Sequence, residues 1–542
     1  MTDEKQSSIF CLDGCPAGLR HLLPGAAANS ATPTPLQTGA CIPNALALTT
    51  GDLETLRAEI LAQGGCVVHL FPPHALMGHL PRRVPGATII RGEANVDRIQ
   101  ASHGAEAALA AAVWNANVIH PQPQAAPSDT ALPLTGDVIR LPEVQALINA
   151  QMPQAAPGYY DASEFMAGRI VVGIILPESN GVQEPSTEDW DLVRISQVVT
   201  EIQAGMDWWN TTNPQGNLEF VYDIHSQVPS VYEPINWGWP SDNLWISDTL
   251  GRLGYASGDW VERSYAYLNA VRTENNADWA VVIFVADSLK DADGIFNNGQ
   301  YFGYTYGDPP LVVMTYDNDG WGIGNMNSVT AHEFGHDFGA GDEYCSPGYA
   351  CCSCSERLGY LGVYNTNCEA GCFATPNGCT TCVQITCLMR QGNVSSGLCE
   401  ISRGQVGMRD TDGDGRWDPV DTFAQFTLTA QPPDTVSEPV VTYTGSAEDI
   451  PYTSPTGPEM TINTLVSFSY KLDDGAWVTI PAADGVFDEI SEEFSLTLAD
   501  LSTGAHTLTL KVVNRWGNET TWDDTFTVDL PIQKLHLPLI QR

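Results

Sequence analysis

Residues 328–344 read SVTAHEFGHDFGAGDEY, and the spacing inside this stretch decides what the surrounding fold has to deliver. His332 and His336 stand four apart, which on a helix turns both imidazoles to one face. Two ring nitrogens so placed can share one zinc ion at ~2.0–2.1 Å. Zinc brings the pKa of water toward ~7. A carboxylate beside it, here Glu333, can then take the proton and later deliver it to a leaving amine. Gly339 and Gly341 offer the backbone freedom for a sharp turn after the helix. That turn would carry Asp342 back as the third ligand; Glu343, one residue on, is its rival, and spacing favours Asp342. Three protein ligands leave one position open, as catalytic zinc sites do. Asn327 or Ser328 suits the N-cap.

Working outward, the chain takes on α/β texture from about residue 158. Four apolar runs have strand length: Arg169–Leu176 (RIVVGIIL), Leu218–Ile224 (LEFVYDI), Trp279–Ala286 (WAVVIFVA) and Pro310–Tyr316 (PLVVMTY). The third is apolar throughout, as a strand buried on both faces must be. Pro309 and Pro310 suit a sheet edge for the fourth. An extended peptide would lie along that edge, held by main-chain hydrogen bonds. Residues 190–209 carry a helical stripe of Leu192, Ile195, Val199, Ile202 and Met206. Helices are also expected over 245–253 and 258–272.

The extended motif H-E-x-x-H-x-x-G-x-x-D resembles the metzincin clan of zinc peptidases, in its version with Asp as third ligand. The string HEFGHDFGAGDEY looks most like the immune-inhibitor-A-like bacterial metallopeptidases. The resemblance implies that His332, His336 and Asp342 bind zinc and that Glu333 is the general base and acid. It implies an α/β (α+β) catalytic domain with a mixed sheet, running from a long helix through strands and an edge strand to the active-site helix. It further implies a Met-containing turn beneath the metal, for which Met389 in CLMRQG is the first candidate and Met408 the second.

Downstream, Asp410–Asp421 reads DTDGDGRWDPVD. Asp410, Asp412 and Asp414 fall at positions 1, 3 and 5 of a calcium loop, Gly415 at the bend, the Arg416 carbonyl at position 7, and Asp418 and Asp421 at 9 and 12. Asp in place of Glu at position 12 weakens bidentate closure. Such a loop would be a structural clasp. Residues 422–530 lose helical patterning and alternate as short strands between Asp-Gly turns, the mark of a β-sandwich. YKLDDGAWVTIP and STGAHTLTLKVVNRWGNET resemble the immunoglobulin-like modules of bacterial secreted proteins.

The expected organisation is therefore a poorly ordered segment (1–45), a propeptide-like module (46–119), a Pro-rich linker (120–157), a peptidase domain (158–409) with a Cys-rich insertion (345–399), the calcium loop (410–421), the sandwich (422–530) and a tail (531–542). In the module, residues 53–61 read as a helix, 66–70 as a strand and 104–114 as a helix. At 542 residues the chain is too long for one ordinary domain. Its 65 acidic against 24 basic residues, net −41, argue against nucleic-acid and anionic-membrane partners. No stretch is apolar enough to span a bilayer. Of 14 cysteines, ten crowd into 345–399, which reads as a disulfide-stapled insertion made in an oxidising compartment rather than as a second zinc site. Cys66 is expected in a disulfide rather than as a plug on the zinc. Residues 1–30 carry no secretory leader pattern, against which the cysteines still favour an extracellular protein. Two functions follow: a secreted zinc endopeptidase acting on protein or peptide, or a non-enzymatic surface protein braced by zinc and calcium. Glu333 discriminates, because a bracing site needs no base beside an open position.

Overall fold

Apolar residues repeat at period two along residues 169–179 but face two different interiors. Ile170, Val172, Ile174 and Leu176 enter one core, while Val171 and Ile175 enter the other. A strand apolar on both faces needs helices above and below it, and the computed structural model has that three-layer arrangement. It describes residues 39–121, 138–149, 155–298, 301–343, 357–365 and 386–531. The strands are β1 (Ala45–Thr49), β2 (Cys66–Phe71), β3 (Ala75–His79), β4 (Ala87–Ile90), β5 (Arg169–Ser179), β6 (Glu219–Ser230), β7 (Trp279–Ala286), β8 (Gly303–Tyr306) and β9 (Leu311–Thr315). They form one mixed sheet in the order β4-β1-β3-β2-β6-β5-β7-β9-β8. Its centre, from β2 to β9, is parallel; β8 closes one side antiparallel to β9.

The helices are α1 (Leu53–Ala62), α2 (Val96–His103), α3 (Ala105–Trp114), α4 (Pro142–Asn149), α5 (Leu192–Thr212), α6 (Asn243–Arg252), α7 (Trp260–Glu274) and α8 (Met326–Asp337). Leu53 and Ile60 of α1, Trp245 of α6 and Leu268 of α7 cover one face of the sheet. Val198, Ile202, Met206 and Trp209 of α5, with Val329 and Phe334 of α8, cover the other. Each such side chain, fully buried, contributes roughly 1.5–3 kcal/mol. α5 starts on Asp191, whose side chain accepts from Val193 and Arg194 N–H, and α7 on an Asp259/Glu262 capping box. No described helix is long and apolar enough to cross a membrane.

Three expectations need correcting or completing. The strand at 310–316 is not an edge: β9 lies between β7 and β8. The true edge is the four-residue GYTY of β8, too short to stand out as a strand, and Pro309 and Pro310 fall in the turn before β9, where no ladder donor is needed. The N-cap of α8 is Asn325 rather than Asn327 or Ser328, and it makes no side-chain capping bond. Residues 46–119 contribute β1–β4 to the same sheet, joined where β2 pairs with β6 (His69 with Phe220, Leu70 with Val221). Cys41 and Cys66 form the disulfide that ties this segment together. Eight of the ten cysteines of 345–399, and most of the Pro-rich linker, lie outside the described residues. Cys387 and Cys399 are described, with sulfurs 2.7 Å apart, longer than the ~2.05 Å of a disulfide.

Residues 424–528 form an all-β region of two facing sheets. One holds Ala424–Ala430, Val441–Asp449 and Ser491–Leu498; the other is built on Leu465–Leu472, Gly504–Asn514 and Glu519–Val528. Alternation is strict along Ser491–Leu498, whose inward residues Phe494, Leu496 and Leu498 meet Phe468, Leu510 and Phe526. A polar contact fixes this region to the α/β part: Arg515 donates to Asp278 at 2.9 Å. At its near end, buried Asn514 and Asn518 amides donate to the Thr422 carbonyl at 3.0 and 2.8 Å.

Candidate metal centre

All twelve residues of α8 are buried, so the helix is held on every side. Gly205 brings α5 within reach: a Cβ there would lie 2.9 Å from the Asn327 carbonyl. Trp209 Nε1 donates to the Ala331 carbonyl at 3.0 Å. The helix stops at Asp337, and Gly339 turns the chain with φ +85°, where a Cβ would also strike Gly359 at 2.5 Å. Gly341 needs no such φ but has no room for a side chain, since Leu358 Cδ1 would be 2.3 Å away. This turn returns Asp342 to the helix face that carries the two histidines.

The three atoms that meet there are all acceptors. His332 Nε2 and His336 Nε2 are 3.1 Å apart, and Asp342 Oδ1 lies 3.3 Å from the first and 3.4 Å from the second. The other ring nitrogens are engaged: His332 Nδ1 faces the Leu388 carbonyl at 3.2 Å and His336 Nδ1 the Ala340 carbonyl at 2.8 Å. A carbonyl can only accept, so each Nδ1 carries a proton, and in the neutral ring each Nε2 presents its lone pair. Two lone pairs and a carboxylate oxygen converging in a buried site call for a cation. Bonds of ~2.0–2.1 Å at tetrahedral angles put donor atoms about 3.3 Å apart, which this triangle matches. Without a cation, burial depresses the His332 imidazole. Burial acts the same way on His336, but the Asp342 carboxylate and Glu333 outweigh it and raise that group to about 9. Asp342, despite burial, is held well below the usual carboxylate range by both imidazoles.

Glu333 is fully buried and neither carboxylate oxygen has a hydrogen-bond partner. It faces β8, where a Cβ on Gly303 would sit 3.6 Å from Glu333 Oε1. Burial, with Asp342 adding to it against His336, pushes Glu333 up to about 8. A bound cation works in the opposite direction. One turn on, Asp337 accepts from Thr305 Oγ1 at 2.6 Å, while Asp337 Oδ2 has no partner. Neither Asp337 nor Thr305 was expected at the site, although the i, i+4 relation to Glu333 puts Asp337 on the same helix face.

Met389 lies under the helix in α9 (Leu388–Gln391), fully buried, with its sulfur 3.1 Å from where a Gly335 Cβ would be. The same segment supplies the Leu388 carbonyl to His332. Met408 is buried too, but in the stretch after α10 (Glu400–Gln405). Glu343 turns away from the histidines: its Oε1 accepts from Ser402 Oγ at 2.9 Å and lies 3.1 Å from Cys399 Sγ.

In the second acidic cluster, Asp410, Asp412 and Asp414 each offer an oxygen within 4.8 Å of the others. Asp418 is instead turned to Thr411, accepting from its N–H at 2.7 Å and its hydroxyl at 2.5 Å. Asp421 Oδ1 is buried without a partner, and the negative Asp414 and Asp412 add to burial in raising that carboxyl. The Arg416 guanidinium pairs with Asp414 and donates to the Trp516 carbonyl at 3.2 Å, while Trp417 Nε1 donates to Asn213 at 2.7 Å. The loop thus bridges the two parts of the molecule.

No protein-family model and no curated relative matches the sequence. Among solved structures, wild-type OgpA from Akkermansia muciniphila aligns at 11% identity over 70% of this chain and 98% of its own, with a TM-score of 0.21. The PKD1 domain of Vibrio anguillarum Epp aligns at 18% identity over 20% of this chain and 95% of its own, with a TM-score of 0.13. The PKD1 domain of the Vibrio cholerae metalloprotease PrtV does so at 19%, over 20% and 99%, with a TM-score of 0.12. Likenesses this slight carry no argument about fold or activity.

Proposed function

We propose that this chain is a secreted zinc-dependent endopeptidase of the metzincin kind, with Glu333 as its general base and acid. One observation carries the reading: a buried carboxylate with both oxygens unpartnered stands next to three converging metal donors. A site that only braced the fold would gain nothing from leaving Glu333 unsatisfied, which costs about 1–3 kcal/mol. Two imidazoles and one carboxylate are a donor set zinc takes with a fourth position open. Zinc held there would supply Lewis acidity, polarising a peptide carbonyl and making water a nucleophile near neutral pH.

The chain's own residues do the rest. The Leu388 and Ala340 carbonyls fix both imidazole tautomers. Asp342 supplies the negative charge that suits a dication. Glu333 takes a proton from the attacking water and passes it to the departing amine nitrogen. Met389 packs beneath α8 as the floor of the site. The edge of β8 beside Glu333 offers main-chain groups to an extended peptide. The Cys41–Cys66 disulfide supports an oxidising compartment, and the loop 410–421 is read as a calcium clasp. The test is hydrolysis of casein by the purified chain beside Glu333→Gln, with zinc content measured in both. The expected result is a loss of ~10²–10⁴-fold in kcat at unchanged zinc. Stoichiometric zinc in a wild type that cleaves neither casein nor a peptide library would instead favour the bracing role.

A further inference from the structure

A cavity of about 640 Å³ opens at the C-terminal end of α8, beside His336 but on the side of Asp337. Five carboxylates stand in its wall, Asp161, Glu164, Asp308, Asp337 and Glu459, beside the guanidinium groups of Arg140 and Arg357. Asp337, 3% exposed, is one of the lining residues, and its Oδ2 is buried without a partner. Burial, with the neighbouring Asp308 and Asp161 charges, pushes Glu164 up to about 8. Burial also raises Asp308, to about 6, against the pull of the Arg140 guanidinium. Acids outnumber bases in this wall, which leaves the chamber suited to a further positive charge.

Arg140 lines the cavity, carried there by a segment that lies on the sheet edge. Antiparallel pairing alternates along β8. The Phe302 carbonyl is taken by Thr315 N–H at 2.8 Å, so Gly303 and Thr305 turn their main-chain groups outward. Ile139 N–H donates to the Thr305 carbonyl at 2.9 Å, and Val144 of α4 is anchored in the core with 0% exposure. Residues 138–141 therefore sit where the next stretch of an extended peptide, starting at Gly303 beside Glu333, would run.

We propose that this cavity is a subsite for an arginine or lysine side chain of a peptide laid along the outer edge of β8, with Arg140 holding its place in the resting chain. The proposal rests on the endopeptidase reading for its consequence, selective cleavage, but the binding it asserts is separable. The whole chain would be given a peptide library containing both arginine and its neutral isostere citrulline, with cleavage sites read by mass spectrometry. The expected result is arginine over citrulline by roughly tenfold or more at one fixed position, the size of one charge-assisted hydrogen bond. Glu164→Gln and Asp308→Asn should shrink that ratio toward one, and Arg140→Ala, on an exposed side chain, should raise kcat/KM for arginine peptides several-fold. A ratio near one in an active wild type overturns the proposal. Should the chain cleave nothing, the endopeptidase reading is what has failed. Binding of a fluorescein-labelled pentapeptide with central arginine against its citrulline counterpart then decides the subsite alone. Tighter arginine binding that Glu164→Gln weakens sustains it; equal binding, or calcium chloride filling the cavity in a Glu164-dependent way, overturns it.

Discussion

The interior around α8 and the loop 410–421 are both rich in carboxylates, and they satisfy them in opposite ways. In the loop, Asp410 accepts from Gly413 and Gly415 N–H at 2.7 and 2.9 Å, and Asp414 from Arg416 N–H at 2.8 Å. The Gly415 N–H leads the causes that hold Asp410 below the ordinary carboxylate range. The loop's own backbone supplies much of what those charges need. Around α8 the backbone is locked in helix, and Glu333, Asp337 and Asp342 keep oxygens that no described donor meets. An interior of this kind depends on what it binds, whereas the loop holds its shape and gains from an ion.

Metal removal should show that contrast at its largest. o-Phenanthroline, which takes zinc and spares calcium, should abolish activity. It should also lower the stability of the α/β region by about 3–4 kcal/mol, the linkage expected for an ion present at several hundred times its Kd. EGTA should cost less and act on the attachment of the β region. Equal losses in unfolding midpoint under the two chelators would break the comparison.

Next in size is a difference in pH response. Glu164 has its folded pKa raised to about 8 by burial. For a carboxyl raised in the folded state, the neutral form is the stable one. Its contribution is complete below the unfolded value near 4.5 and is lost as pH rises toward 8. Asp410, lowered instead, contributes above its unfolded value and loses that contribution on acidification. Between pH 6 and 9 the wild type should lose about 2–3 kcal/mol more than Glu164→Gln, read from denaturant midpoints. Identical slopes would mean that the cavity is better solvated than its walls suggest.

How far the sequence reached follows the same division. The spacing of His332, Glu333, His336 and Asp342 is local, so the helix, the turn and the convergence of donors could be read from seventeen residues. The apolar run of β7 declared its double burial, and that of β5 its strand. What local pattern could not show was supplied from a distance. The Leu388 carbonyl that orients His332 comes from 56 residues away. Thr305, which meets Asp337, sits in a strand too short to announce itself. The place of β9 inside the sheet depends on β8, and Pro309-Pro310 is as compatible with a turn as with an edge. Residues 138–149, expected within a linker, dock because Val144 finds a pocket that only the folded sheet creates.

The smallest prediction puts the same substitution in both regions. Thr305→Val removes the hydroxyl that donates to Asp337 Oδ1, leaving a carboxylate 3% exposed with one donor fewer. Water cannot replace it without opening the contact between β8 and α8, so the expected cost is about 1–3 kcal/mol. Thr411→Val removes the hydroxyl that donates to Asp418 Oδ2 at an exposed position. There solvent takes over at once, the Thr411 N–H still serves Asp418 Oδ1, and the change should stay within about 0.5 kcal/mol. Both variants keep side-chain shape, so a cavity contributes to neither. A Thr305→Val variant as stable as the wild type would mean that Asp337 is neutral and content without its donor, and the interior would then depend on bound ligands less than its unpartnered oxygens imply.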